Sequence, residues 1–246
     1  MNQKTLGIVI KRQDFSEADR ILTIFTERFG KVKAMARGVR KISARLAGSL
    51  EPFMLVDLQL YPGRTFFTVT GASIKSDFSL IQTDIRKIAN AFYVGELVDR
   101  FEKEELKSSE VFSLLVQSLQ SLATTEDPLV LRVFEIGLLK QAGFWPELSH
   151  CRHCHVQLKP GNNFWDGLEG GIICSECQRL FRHGYAVSDN LIKFFRIIEE
   201  KGFGLIGHLN VESSLADEAA VLLSAYIRDI LESNVKSERF LQNVSG

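Results

Sequence analysis

Residues 20–37 read RILTIFTERFGKVKAMAR, and their spacing decides the architecture of the first third of the chain. Arg20 to Thr26 is a β-branched run, and Arg28-Phe29-Gly30 carries turn chemistry. Lys31 to Arg37 then alternates strictly, with Val32, Ala34 and Ala36 on one face and Lys31, Lys33, Met35 and Arg37 on the other. A strand with a small apolar side and a cationic side belongs on the wall of a compact sheet, one face on a core and one in water. Working outward, Leu6 to Arg12, Phe53 to Tyr61 and Thr65 to Gly71 have the same character, and Tyr61-Pro62-Gly63-Arg64 punctuates the last two. Five strands with a short helical insertion over Ile42 to Leu50 predict a small closed barrel of the oligonucleotide-binding (OB) kind, with an SH3-like barrel as the rival.

After Asp77 the apolar period lengthens to that of a helix. Ile85, Ile88, Phe92, Leu97 and Phe101 recur every three to five residues, and Ser109 to Leu122 continues the pattern. Asp127-Pro128 reads as a cap followed by proline at the first helical position, with Gly143 closing that helix. Ser188 is expected to cap a helix ending before Gly202, and Ser213 or Ser214 to open a last long helix reaching about Ser233. The expected fold class is α+β: an all-β barrel over 1–80, then a mainly α-helical domain over 81–246 with a cysteine-bearing insertion at about 150–180.

Charge divides at the same place. The formal net charge is zero, yet residues 1–80 hold 13 Lys/Arg against 7 Asp/Glu, and residues 81–246 hold 17 against 23. Seven of the basic residues fall between Arg28 and Arg45 with no acid among them. That suits the first part to a polyanion and leaves the second as a surface for other partners. The longest uncharged stretch, 111–125, is broken by Ser113, Gln117 and Ser118, so no membrane span is expected. The opening MNQKTLGIVIKR lacks the features of a secretory signal, and a cytoplasmic location is expected.

All four cysteines sit in one segment, as Cys151-Arg-His-Cys154 and Cys174-Ser-Glu-Cys177, with nineteen residues between the knuckles. Two CxxC pairs at that separation predict one tetrahedral zinc held by Cys151, Cys154, Cys174 and Cys177. Four thiolates leave no position for water, so the zinc is expected to be structural. Two disulfides are the alternative, disfavoured in a reducing compartment. His150, His153 and His155 crowd the first knuckle, and one of them replacing a thiolate stays open. Phe164 and Trp165 are expected to pack over the metal.

The basic run supplies the second candidate site. Lys31, Lys33 and Arg37 on the strand, followed by Arg40, Lys41 and Arg45 in a loop, are expected to line a groove for a phosphate backbone. Phe15, Phe29, Tyr61, Phe66 and Phe67 are candidate stacking platforms, most of them expected in the core. Enzyme signatures are missing: there is no GxxxxGK[ST], GxGxxG, HExxH, GxSxG or deaminase HxE…PCxxC pattern. The acidic stretch Glu96 to Glu110, interleaved with Arg100, Lys103 and Lys107, reads as a solvated helix face.

Particular segments also resemble a known family. IVIKRQDFSEADRILTIFTERFGKVKAMARGVRK (8–41), SARLAGSLEPF (43–53), NAFYVGELVDRF (90–101) and LESNVKSERFL (231–241) are similar to the bacterial RecO family of DNA repair and recombination proteins, many of which carry paired CxxC knuckles. The resemblance implies an OB barrel, a helical domain with a zinc insertion, and no catalysis on covalent bonds. It further implies a mediator that binds single- and double-stranded DNA, anneals complementary strands coated by single-strand-binding protein, and with RecR helps to load RecA. The rival function is a zinc-containing protein-interaction adaptor whose barrel is only scaffold.

Overall fold

A computed structural model describes residues 2–41, 46–167, 170–181 and 184–245. The chain forms two compact units, Met1–Glu126 with Val235–Gly246, and Asp127–Asn234.

The first unit is built on five strands, β1 (Gln3–Asp14), β2 (Arg20–Thr26), β3 (Gly30–Ala36), β4 (Leu55–Tyr61) and β5 (Phe67–Ser76). They close into a barrel in the order β1-β2-β3-β5-β4, with β4 paired back onto β1. Only β3 and β5 run parallel, meeting at Ala34 and Phe67; the other neighbours are antiparallel. This is the OB strand order. Strand alternation sends Val9, Leu22, Ile24, Val32, Leu58 and Val69 inward, where they are buried. The predicted faces of the third strand hold, with Val32, Ala34 and Ala36 inside.

Gly30 shows why the β2–β3 turn needs its glycine. Its φ is +64°, and a Cβ there would lie 1.9 Å from the Leu106 carbonyl oxygen, so a side chain is excluded by both conformation and space. Thr26 holds the turn: its Oγ1 accepts from the Phe29 N–H (3.0 Å) and its hydroxyl donates to the Gly30 carbonyl (2.8 Å).

Three helices belong to this unit: α1 (Ile85–Phe101), α2 (Ser109–Thr124) and the C-terminal α7 (Lys236–Ser245). Asp84 caps α1 by accepting from the Arg86 N–H at 2.7 Å. Aromatic contacts fix the helices to the barrel wall. Phe53 meets Phe92 of α1 edge-on at 4.9 Å, and Phe25 of β2 lies 6.2 Å from Phe112 of α2. Of the predicted insertion, 48–50 forms a single 3₁₀ turn, and 42–45 lie outside the described residues.

The second unit holds α3 (Leu129–Gln141), a small sheet of β6 (Asn163–Asp166), β7 (Gly171–Ile173) and β8 (Tyr185–Val187), a short α4 (Ser175–Phe181), then α5 (Asp189–Lys201) and α6 (Ser213–Leu231). Asp127 Oδ1 accepts from the Leu129 N–H (2.9 Å), and Ser188 Oγ accepts from the Leu191 N–H (3.1 Å), so both predicted caps form. The sheet order is β7-β6-β8. Trp165 of β6 is buried against Tyr226 (5.1 Å) and Phe195 (6.2 Å).

Candidate nucleic-acid interface and metal centre

The cations of β3 divide by what faces them. Lys31 Nζ donates to the Asp99 carbonyl and lies 3.2 Å from Asp99 Oδ1, leaving its side chain 11% exposed. Lys33 Nζ lies 2.6 Å from Glu104 Oε1. Residues 104–106 run beside the strand, where Glu105 N–H donates to the Lys31 carbonyl at 2.8 Å and Lys31 pairs with Glu104 in an isolated parallel bridge. The stretch read as a solvated helix face therefore supplies, through Asp99 and Glu104, counter-ions to the barrel. Burial pushes the neighbouring Glu102 carboxyl up, with the Lys31 charge opposing it.

Beyond β3 the arrangement opens. Arg40 is held against the β1–β2 loop: its N–H donates to the Ala18 carbonyl (3.0 Å), its Nη1 to the Ser16 carbonyl (2.6 Å), and its Nη2 lies 3.5 Å from Asp14 Oδ2. Asp19 Oδ1 accepts from the Gly38 N–H at 2.8 Å, so loops 15–19 and 37–41 are stapled together. Arg37 and Lys41 are exposed on this pair of loops with no carboxylate partner among the described residues. Phe15 stands on the same loops, 60% exposed. Arg45 lies outside the described residues. Of the other aromatics, Tyr61 is exposed, Phe66 half-buried, and Phe29 stacks on Phe67 at 6.1 Å against the barrel core. Of the six sequence-derived cations, the five that are described thus fall into a paired set, Lys31 and Lys33, a tethered Arg40, and a free set, Arg37 and Lys41.

The four cysteines do converge. The Sγ atoms of Cys151, Cys154, Cys174 and Cys177 all lie within 4.8 Å of one another, with Cys154 and Cys174 at 3.7 Å, and none forms a disulfide. A tetrahedral ion with metal–sulfur bonds of about 2.3 Å sets its sulfurs ~3.8 Å apart, so this donor set fits such a metal. Burial works against ionising Cys151, but N–H groups of Cys154, Cys174 and His153 outweigh it and bring its pKa down to about 6. Burial pushes the Cys177 thiol up. A bound cation relieves that penalty by pairing with the thiolate.

Phe164 packs against Cys151, Cys177 and Ile173 as expected, but Trp165 does not cover the sulfurs. Consecutive strand residues face opposite ways, so Trp165 goes to the helices. The histidines stand apart from the four-sulfur cluster among the described residues. His150 Nδ1 lies 2.6 Å from Glu147 Oε2, and His153 Nε2 lies 3.8 Å from Asp166 Oδ2.

A closed barrel of OB strand order, a set of helices and a four-cysteine cluster define a barrel-plus-helical class of protein, and the sequence is similar to known proteins over nearly its whole length. The family model described as Recombination protein O N terminal matches residues 1–78, and that described as Recombination protein O C terminal matches 82–239. The DNA repair protein RecO of Dehalococcoides mccartyi (strain 195) is 35% identical over 243 residues, covering 98% of this chain and 96% of that protein. Its counterpart from Roseiflexus sp. (strain RS-1) is 36% identical over 242 residues, 98% of this chain and 85% of the relative. That of Anaeromyxobacter dehalogenans is 30% identical, with 98% and 96% covered. The chain belongs to the RecO family, and its role is in recombinational DNA repair. No helix among the described residues is long and apolar enough to cross a membrane.

Proposed function

We propose that this chain is a non-catalytic recombination mediator: it binds single- and double-stranded DNA, anneals complementary strands coated by single-strand-binding protein, and with RecR assists loading of RecA, in the cytoplasm at the nucleoid. The observation that carries the proposal is the exposed triad of Phe15, Arg37 and Lys41 on the stapled loops of an OB-type barrel. Of the sequence-derived set Lys31, Lys33, Arg37, Arg40, Lys41 and Arg45, we assign phosphate contact to Arg37 and Lys41, with Arg40 holding the loops in place. Lys31 and Lys33 are assigned to the barrel's own counter-ion pairs. Annealing brings two polyanions together, so the protein must neutralise backbones while leaving base edges free to pair. Two exposed cations on the same stapled loops as one ring suit that task, because charge grips any backbone and the ring stacks any base.

In this reading Cys151, Cys154, Cys174 and Cys177 hold one structural zinc, with the binding free energy coupled to folding of the 150–180 insertion. The barrel, 1–80, handles DNA, while the acidic remainder, 81–246, meets proteins. The adaptor reading, with the barrel as scaffold, is favoured by the neutralised Lys31 and Lys33. A fluorescence strand-annealing assay separates the two. The mediator accelerates pairing of complementary strands with and without their protein coat; an adaptor leaves the rate at that of DNA alone.

A further inference from the structure

The second unit has a groove that neither the cysteine centre nor the cations use. It lies between β8 and α6, has a volume of about 570 Å³, and is floored by Tyr185 and Ala186 on one side and Val221, Leu222 and Ala225 on the other. Three carboxylates border it, Asp217, Glu218 and Asp229, and no Lys, Arg or His lines it among the described residues.

Helix geometry explains how the groove arises. On α6 the positions 217, 218, 221, 222, 225 and 229 recur every three to four residues and form one face, while Ala219, Leu223, Tyr226 and Ile227 bury the other. The outward face carries apolar residues at its middle and acids at its ends. Val221 is 72% exposed and Tyr185 67%, an apolar patch with a polar border of the kind that marks a protein contact. β8 is the outer strand of its sheet, bonded among the described strands to β6 alone, so its far edge offers backbone N–H and C=O groups to an added strand.

We propose that this groove docks an extended, positively charged segment of a partner protein, its apolar side chains on Val221, Leu222 and Ala225 and its cations on Asp217, Glu218 and Asp229. Charge selects this occupant: nucleic acid and acidic peptides are repelled by the three carboxylates, since no cation lines the groove among the described residues. Geometry sets the spacing. From Asp217 to Asp229 the helix rises about 18 Å, at ~1.5 Å per residue. An extended chain covers that span in about six residues, and alternate side chains face the groove, at ~3.3 Å per residue. The segment therefore reads cation, spacer, apolar, spacer, apolar, spacer, cation. The proposal stands apart from the DNA reading and survives if that reading fails.

Fluorescence anisotropy on the full chain tests it with capped, labelled heptapeptides of sequence KSVSLSK and ESVSLSE. The basic peptide binds and the acidic one does not. Val221→Asp weakens the basic peptide at least about tenfold, and Asp217→Lys with Asp229→Lys does the same while admitting the acidic peptide. The two acids are exposed, so this second variant keeps the test valid should the first fold poorly. Equal binding of the two peptides, binding indifferent to both variants, or no binding of the basic peptide overturns the proposal. Self-association abolished by Val221→Asp overturns it too, because the occupant is then a second copy of this chain.

Discussion

Lys31 of β3 and Asp99 of α1 form an ion pair at 3.2 Å, with the Lys31 side chain 11% exposed and that of Asp99 27%. The relationship turns a residue that looks like a DNA contact into part of the packing between barrel and helix. Removing one partner leaves the other poorly solvated.

Lys31→Ala is accordingly expected to lower stability by about 2 kcal/mol, below the ~3–5 of a fully buried pair because Asp99 keeps some water. Denaturant unfolding measures the loss. DNA affinity, read on the folded fraction, should keep its salt dependence; a flattened dependence would place Lys31 on the DNA after all.

Glu96 of α1 caps α7 across 140 residues of chain: its carboxylate accepts from the N–H of Lys236 (2.9 Å) and Ser237 (2.7 Å) and from the Ser237 hydroxyl (2.6 Å). Burial tends to raise its pKa, but those three donors outweigh it and hold the carboxyl below its ordinary value. A depressed acid contributes stability that is present above its unfolded pKa, about 4.3, and is lost as pH falls through the folded value. The α7 amides should therefore lose hydrogen-exchange protection below about pH 4, corrected for intrinsic rates. Glu96→Gln should show the same loss at neutral pH, costing about 1 kcal/mol as a lost cap does. Protection independent of both pH and this substitution would refute the capping account.

Metal analysis should find close to one zinc per chain, and Cys174→Ser should lower that content. Chelation should melt the 150–180 insertion, since metal affinity on the order of 10 kcal/mol is spent on folding such elements. Hydrogen exchange over β6 to β8 reads the melting, while the barrel strands serve as the internal reference. Metal-free, disulfide-bonded protein with the insertion still protected would contradict the four-thiolate site.

How much of this was legible in the sequence follows from how local each signal is. The strand Arg20–Thr26 and the helix starts at Ile85 and Ser109 were readable because alternation, period and capping act within a few residues. The cysteine cluster was readable because CxxC spacing is itself local geometry. Helix α7 went unread: it is short, and its cap comes from Glu96, far away in sequence. The neutralisation of Lys31 and Lys33 was hidden likewise, because Asp99 and Glu104 lie about seventy residues on and looked like an ordinary charged helix face. Trp165 was misplaced over the metal because the exact strand register, which sets the face, is not written in composition.

Phe15→Ala should weaken single-strand binding by about 1–3 kcal/mol, the range for losing one stacked base, with no change in salt dependence. Equilibrium titration at two ionic strengths separates the terms. An unchanged affinity would remove the ring from the interface.

The salt dependence of single-strand affinity tests the central claim most directly. Log affinity should fall linearly against log salt, and at ~0.7 per phosphate Arg37 and Lys41 together account for about 1.4 of that slope. Replacing Arg37 and Lys41 together by alanine should flatten that slope by about 1.4, for every sequence tried. A double variant whose slope matches the unaltered protein would contradict the account, and put the DNA on a surface other than the stapled loops.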